Sequence, residues 1–208
     1  MISESEQTIF IVDDDSVVRS GTSQLIETIG LKTKCFSSAQ EFLDSYSSSY
    51  AGCLVLDVRM PGMSGLVLQD ELAVRNSDLP IIFITGHGSV KMGVDAIKKG
   101  AVDYLEKPFD DQDLLDQIHK ALEKNAKDRR VRIQKQMVVG RIESLTPKEK
   151  QVMYMVADGK LNKVIAYELE ISQKTIEFHR SNVMKKMKVD SVAHLVKSLD
   201  ITELPVMP

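Results

Sequence analysis

"CLVLDVRMPGMSG" (residues 53–65) is the stretch from which the fold can be read. Cys53 to Leu56 make an apolar run of the length of a buried strand, and Asp57 follows it directly. Met60-Pro61-Gly62 then turns the chain, because Pro and Gly together punctuate regular structure. Asp57 is either an incidental acid at a strand end or the group that the strand presents. The segments on either side bear on that choice.

Outward from this strand the same alternation repeats. "TIFIV" (8–12) is another buried run, and after it Val17, Val18, Leu25, Ile26 and Ile29 recur at helical spacing until Gly30. "LKTKCF" (31–36) alternates as a strand does, and "SAQEFLDSY" (38–46) reads as a helix with Ser38 as its N-cap. Beyond Asp57 come a helix from Ser64 to about Asn76, "PIIFIT" (80–85), and a helix from Val90 to Lys99. "AVDYLE" (101–106) and a helix from about Asp111 to Lys124 complete the series. Strands and helices in strict alternation predict an α/β fold: a flavodoxin-like, doubly wound, five-stranded parallel sheet covered on both faces. Such sheets bind ligands beyond the carboxyl ends of their strands.

Composition agrees with a globular chain. With 208 residues, 43% hydrophobic and 27% charged, it has room for two modest domains and no apolar run near the ~20 residues of a membrane span. The N-terminus is acidic and lacks the pattern of a signal peptide. Cys35 and Cys53 are isolated, which fits a reduced, cytoplasmic setting and gives no metal-ligand spacing. The net charge of −3 hides an opposition: residues 1–124 carry 11 basic against 20 acidic residues, and residues 125–208 carry 16 against 10. The basic half is a candidate for binding nucleic acid.

The expected organisation is therefore residues 1–124 as the α/β domain, 125–143 as a charged helical linker, and 144–208 as a small all-α domain. In the last, Thr146 to Ala157, Asn162 to Glu170, Gln173 to Lys188 and Ser191 to about Leu199 read as helices.

In a parallel sheet Asp13, Asp14, Asp57 and Thr85 all fall at strand carboxyl ends, and Lys107 follows the fifth strand. Converging carboxylates repel unless a cation compensates, and a hard divalent ion such as Mg²⁺ suits oxygen ligands. With a hydroxyl and an ammonium added, the set suits a phosphoryl group attacked by a carboxylate. Asp15 alone reads more simply as a helix-capping acid.

"IVDDDSVVR", "LVLDVRMPGMSG", "IIFITGHG" and "DYLEKPF" closely resemble the receiver domain of two-component response regulators, over residues 7–124. The resemblance implies that Asp57 is the phospho-acceptor, that Asp14 ligates Mg²⁺ directly and that Asp13 helps, with Arg59 adding its backbone carbonyl. It implies that Thr85 and Lys107 contact the phosphoryl group, that Tyr104 is the switch aromatic, and that the Lys107–Pro108 bond is cis. It assigns no role to His87, which has no His or Cys partner in its loop. A rival pattern exists. Asp13, Asp15 and Val17 also satisfy the D-x-D-x-[TV] of haloacid-dehalogenase-type phosphatases, which would make Asp13 a nucleophile. That reading leaves Asp57, its turn and the C-terminal helices without a role.

Residues 144–196 resemble the helix-turn-helix of NarL/FixJ/LuxR-type regulators. Thr146-Pro147 opens the first helix with a cap and Pro at N1, and Gly159 closes it. A helix, a turn at Ile171-Ser172 and a recognition helix from Gln173 follow. At about 100° per residue, Ile176, Val183 and Met187 share one side, and Lys174, Phe178, Ser181, Lys185 and Lys188 share the other. Lysines there suit phosphates, and Phe178 and Ser181 suit base edges. With Lys163, Thr175 and Glu177 they form the expected DNA-contacting set; Glu177 stands in a slot where many relatives carry a phosphate-compatible residue. His179 and Met184 read as packing residues. A solvated lysine face on a small bundle is the plainer alternative. The combined resemblance implies a phosphorylation-activated transcriptional regulator. Its partners would be a sensor histidine kinase, double-stranded promoter DNA and, when phosphorylated, a second copy of itself, with no membrane. It is expected to be no enzyme beyond assisting its own phosphorylation and dephosphorylation. A phospho-switch acting through protein contacts is a further alternative.

Overall fold

The structure, a computed structural model, describes residues 7–86 and 90–202, so His87 lies outside the described residues. The chain folds as two compact units, one up to Arg129 and the other from Arg130.

The first unit is a five-stranded parallel sheet of order β2-β1-β3-β4-β5. Its strands are β1 (Thr8–Val12), β2 (Lys32–Phe36), β3 (Gly52–Asp57), β4 (Ile81–Thr85) and β5 (Asp103–Glu106). Its helices are α1 (Ser16–Thr28), α2 (Ala39–Ser45), α3 (Gly65–Val74), α4 (Val90–Lys98) and the start of α5 (Asp111–Glu143). This is the doubly wound order in which the chain reverses between β1 and β3, opening a crevice at their carboxyl ends. The central strands β3 and β4 are buried throughout, which is why they read as unbroken apolar runs. Alternate residues feed two cores. Ile9, Ile11, Val55, Ile82 and Ile84 pack with Ile26 of α1 and with Leu114, Ile118 and Leu122 of α5. Phe10, Val12, Leu54, Leu56 and Phe83 pack on the other face with Phe42, Leu68, Leu72 and Ala96 from α2, α3 and α4.

Two glycines set the close approaches. At Gly52, with φ +137, an added Cβ would lie 1.9 Å from the Thr8 carbonyl oxygen. At Gly65 it would lie 2.2 Å from the Asp57 carbonyl oxygen, so only glycine lets the start of α3 press against the end of β3. Ser64 caps α3 through the Val67 N–H. β5 begins two residues later than its pattern suggests. Ala101 is taken up in closing α4, its N–H donating to the Ala96 carbonyl after the positive φ of Gly100.

The second unit contains α6 (Pro147–Ala157), α7 (Asn162–Glu168), α8 (Gln173–Met187) and α9 (Val192–Asp200). Thr146 and Glu149 form a capping box at α6, with Pro147 in its first turn. The core gathers Val138, Ile142, Val152, Met153, Val156, Ile165, Ile176, Val183, Met187 and Leu195. Each such side chain contributes about 1.5–3 kcal/mol on burial. α7 and α8 stop short of their periodic patterns because Glu170 and Lys188 adopt left-handed backbone (φ 53 and 55) that closes each helix. Residues 125–143 are helical and continuous with 111–124, all within α5.

Candidate functional site

Asp13 follows β1, Asp57 ends β3, and Lys107 follows β5; the three meet at the carboxyl edge of the sheet. Lys107 Nζ donates to Asp13 Oδ2 at 2.8 Å and to Asp57 Oδ1 at 3.1 Å. The free oxygen of each carboxylate takes a backbone donor: Asp13 Oδ1 from the Asp15 N–H (2.9 Å) and Asp57 Oδ2 from the Arg59 N–H (2.7 Å). Asp13 is 1% exposed and Asp57 6%. The Lys107 backbone N–H bonds the Thr85 carbonyl at 2.8 Å, which fixes the loop carrying the ammonium to the end of β4. The Lys107–Pro108 bond is cis. Arg19, which the sequence did not single out, donates from Nη1 to the Asp13 carbonyl at 2.6 Å.

These contacts have electrostatic consequences. Burial pushes the Asp57 carboxyl above its ordinary range, against the pull of Lys107 and the Arg59 N–H. Burial alone would lower Lys107, but its bonds to Asp13 and then Asp57 outweigh that and raise it. The site thus holds a carboxylate whose charge is poorly solvated beside an ammonium held firmly charged.

Of the three expected carboxylates, Asp13 and Asp57 meet through Lys107. Asp14 is exposed, and among the described residues no group of three or more His, Cys, Asp or Glu side chains is placed to hold a metal. Successive side chains leaving a strand diverge, so Asp13 turns into the edge while Asp14 stays in water. The donor chemistry nonetheless fits Mg²⁺, which uses one or two carboxylates with waters and phosphate oxygens: Asp13 and Asp57 supply two buried carboxylates on adjacent strands. Arg59 is exposed and adjoins Asp57 through its N–H. Asp15 caps α1, accepting from the Val17 and Val18 N–H groups, so the second acid of the phosphatase-like pattern is committed to the helix.

Thr85 is buried at the end of β4, paired in register with Glu106. Tyr104 lies one strand over, its ring 6.3 Å from that of Phe83 and close enough to Gly93 that a Cβ there would be 3.1 Å from the ring. Its hydroxyl is buried without a hydrogen-bond partner among the described residues.

In the second unit, α8 sorts its residues as its periodicity predicts. Ile176, Val183 and Met187 are buried, while Lys174, Phe178, Ser181 and Lys185 are exposed, Phe178 by 64%. Lys188 is exposed too, but it is the left-handed cap beyond the helix. Ser172 caps α8 through the Thr175 N–H, and the Thr175 hydroxyl sits 2.8 Å from Ser172 Oγ, so Thr175 is half-buried at the cap. Glu177 is exposed, with Gln173 Nε2 at 3.5 Å, and Lys163 is exposed in the first turn of α7. His179 and Met184 are half-buried, Met184 against the core. Sequence periodicity missed three contacts that hold α8: Arg180 to Asn162 Oδ1 (2.9 Å), Lys186 to Glu149 Oε2 (2.6 Å) and Arg141 to the Met187 carbonyl (3.0 Å). The Thr146–Glu149 spacing could have flagged Glu149 as a cap, though not its second partner.

Comparison with known proteins agrees with both units. The model of the response regulator receiver domain matches residues 9–119, and that of the bacterial regulatory proteins of the luxR family matches residues 143–199. The chain is 47% identical over 196 residues to the response regulator protein TmoT of Ectopseudomonas mendocina, covering 94% of this chain and 89% of that one. It is 41% identical over 189 residues to the transcriptional regulatory protein FixJ of Bradyrhizobium diazoefficiens, covering 91% and 92%. Among solved structures, that of the response regulator StyR aligns with TM-score 0.86 and 42% identity over 94% of this chain and 98% of that chain.

Proposed function

Because the chain belongs to the two-component response regulators that join a receiver domain to a LuxR-type DNA-binding domain, we propose that Asp57 is its phospho-acceptor and α8 its DNA-reading helix. The observation that carries the first part is Lys107 Nζ bonded to both Asp13 and Asp57 at the sheet's carboxyl edge. A carboxylate oxygen of Asp57 attacks phosphorus, the O–P bond forms, and the bond to the donor breaks. The donor is the phosphohistidine of a sensor kinase, whose departing imidazole takes up a proton. Poor solvation of the Asp57 carboxylate makes it the more nucleophilic, and Lys107 stands ready to neutralise the phosphoryl oxygens with Thr85 beside it. Asp14, Asp57 and the Arg59 backbone carbonyl would hold Mg²⁺, with Asp13 assisting, and the ion would offset charge on those oxygens.

The phosphoryl group adds about −1.5 to −2 charge and three acceptor oxygens, enough to bias the segment through Thr85 and Lys107 to Tyr104. Tyr104 suits that role because its hydroxyl has nothing to lose on leaving its present place. Output is DNA binding by Lys163, Lys174, Thr175, Glu177, Phe178, Ser181, Lys185 and Lys188, as a homodimer on paired half-sites. Thr175 contributes from the helix start and Glu177 as an acceptor for cytosine N4. We take residues 1–124, 125–143 and 144–208 as receiver, linker and DNA-binding domain. The setting is the cytoplasm; no described helix is long and apolar enough to cross a membrane. The phosphatase reading, with Asp13 as nucleophile, is tested directly. After incubation with acetyl phosphate and Mg²⁺, the wild type and not Asp57→Asn should gain one phosphoryl group by intact mass. Uptake by Asp57→Asn together with loss in Asp13→Asn would support the phosphatase instead.

A further inference from the structure

The last turn of α8 is held from two directions. Glu149, in the first turn of α6, is 3% exposed. Its Oε2 accepts from the Thr146 N–H at 2.9 Å and from Lys186 Nζ at 2.6 Å. The same ammonium lies 3.5 Å from the Ser144 carbonyl. One residue on, Arg141 Nη1 donates to the Met187 carbonyl at 3.0 Å, a cation at a helix C-terminus where the dipole favours it. The hydrogen bond from Lys186, followed by that from Thr146, holds the Glu149 carboxyl below its ordinary range. Lys186 points about 120° around α8 from the centre of the exposed lysine face, by helical geometry. So α8 carries lysines of two kinds. Lys174 and Lys185 face water with no acidic partner among the described residues, whereas the charge of Lys186 is compensated by a buried carboxylate.

We infer that Glu149 is a positioning residue for DNA recognition: through Lys186 it fixes the pose of the last turn of α8, and it withholds that lysine from the DNA phosphates. This rests on the reading of α8 as the helix that enters the groove. The pair acts where the chain that comes from α5 enters the DNA-binding unit, with Arg141, Ser144 and Glu149 all gripping one turn of the recognition helix. Affinity from phosphates and selectivity from base edges are thereby assigned to different lysines. Lys174 and Lys185 supply the first, and Lys186 secures the geometry for the second.

The test uses full-length protein on a pool of random-sequence duplexes and on duplexes selected from that pool by the wild type. Each phosphate contact contributes about 0.9 to the slope of log affinity against log salt. Lys185→Gln should flatten that slope by about 0.9 on the random pool. Lys186→Gln should leave the slope unchanged but lower the preference for selected over random duplexes tenfold or more. Lys186→Arg, which can keep the pair, should retain the preference. Glu149→Gln should steepen the slope as Lys186 is released to a phosphate. If Glu149→Gln does not fold, the two Lys186 variants decide, each first shown to melt cooperatively, since the Lys186 side chain is 37% exposed. Flattening by Lys186→Gln with the preference intact would overturn the inference, as would no change in either quantity. An unchanged slope in Lys185→Gln would instead remove the underlying reading of α8, and the inference with it.

Discussion

Asp57 and Lys107 have opposite effects on stability although they touch. Burial raises the Asp57 pKa, so the folded state binds that proton more tightly than the unfolded chain does. Its ionised form therefore weakens the fold at neutral pH, and the penalty fades as pH falls through the raised pKa toward the ordinary carboxylate range. Asp57→Asn should raise the melting temperature, by about 2–4 °C for each kcal/mol regained in a chain of this size. It should also remove Asp57's own contribution to the acid side of the stability profile. Lys107→Ala should do the reverse, because two buried carboxylates lose their shared cation; a loss of about 3 kcal/mol in urea unfolding is expected. Lys107 is raised, so the stability it contributes is complete below the ordinary lysine pKa and is lost as pH rises through the elevated one. Which of the acids at 13 to 15 enters the site could not be read from their spacing. All three follow the same strand, and their division into a Lys107 partner, an exposed acid and a helix cap depends on how the chain leaves β1.

Elements were more legible than side-chain partners. β3 and β4 are buried on both faces and so announce themselves by composition, whereas the half-exposed β2 and β5 had to be inferred from alternation and position. Helix ends were less visible, since positive φ at Glu170 and Lys188 is a backbone choice that apolar spacing does not encode. α8 shows what periodicity does settle. Ile176→Ala should cost about 2–5 kcal/mol because it opens a cavity in the core of the second unit. Phe178→Ala, two positions on and facing water, should stay within about 0.5 kcal/mol of the wild type while weakening DNA binding. Thermal melts and duplex titrations of the two variants check that contrast. What periodicity cannot supply is Lys186's partner, which lies 37 residues away in sequence. At β3, Gly65→Ala should destabilise the first unit and impair phosphoryl uptake together, because the added Cβ meets the Asp57 backbone at 2.2 Å.

At the scale of the whole molecule, the charge opposition visible in the sequence corresponds to two units with different chemistry. The acidic unit gathers buried carboxylates and an ammonium at one sheet edge, and the basic unit displays exposed lysines along one helix face. The exposed lysines Lys163, Lys174, Lys185 and Lys188 imply that raising salt from about 50 to 200 mM should weaken duplex binding by the order of a hundredfold for each protomer bound. The fold class was legible in the strand and helix alternation, and the meeting of Asp13, Asp57 and Lys107 in the strand-end residues, because a parallel sheet brings its strand ends to one edge. The junction was less legible: the stretch 125–143 continues the α5 helical register without a break, so composition marks a change that the backbone does not. On the proposed function, a phosphoryl group on Asp57 controls binding of DNA by the second unit. The direct measurement is the duplex affinity of the full chain before and after treatment with acetyl phosphate and Mg²⁺, for the wild type and for Asp57→Asn. A gain of roughly 5- to 150-fold in the wild type, absent from Asp57→Asn, is the predicted result. An equal gain in both proteins, or none in a wild type shown to carry the phosphoryl group, would contradict it.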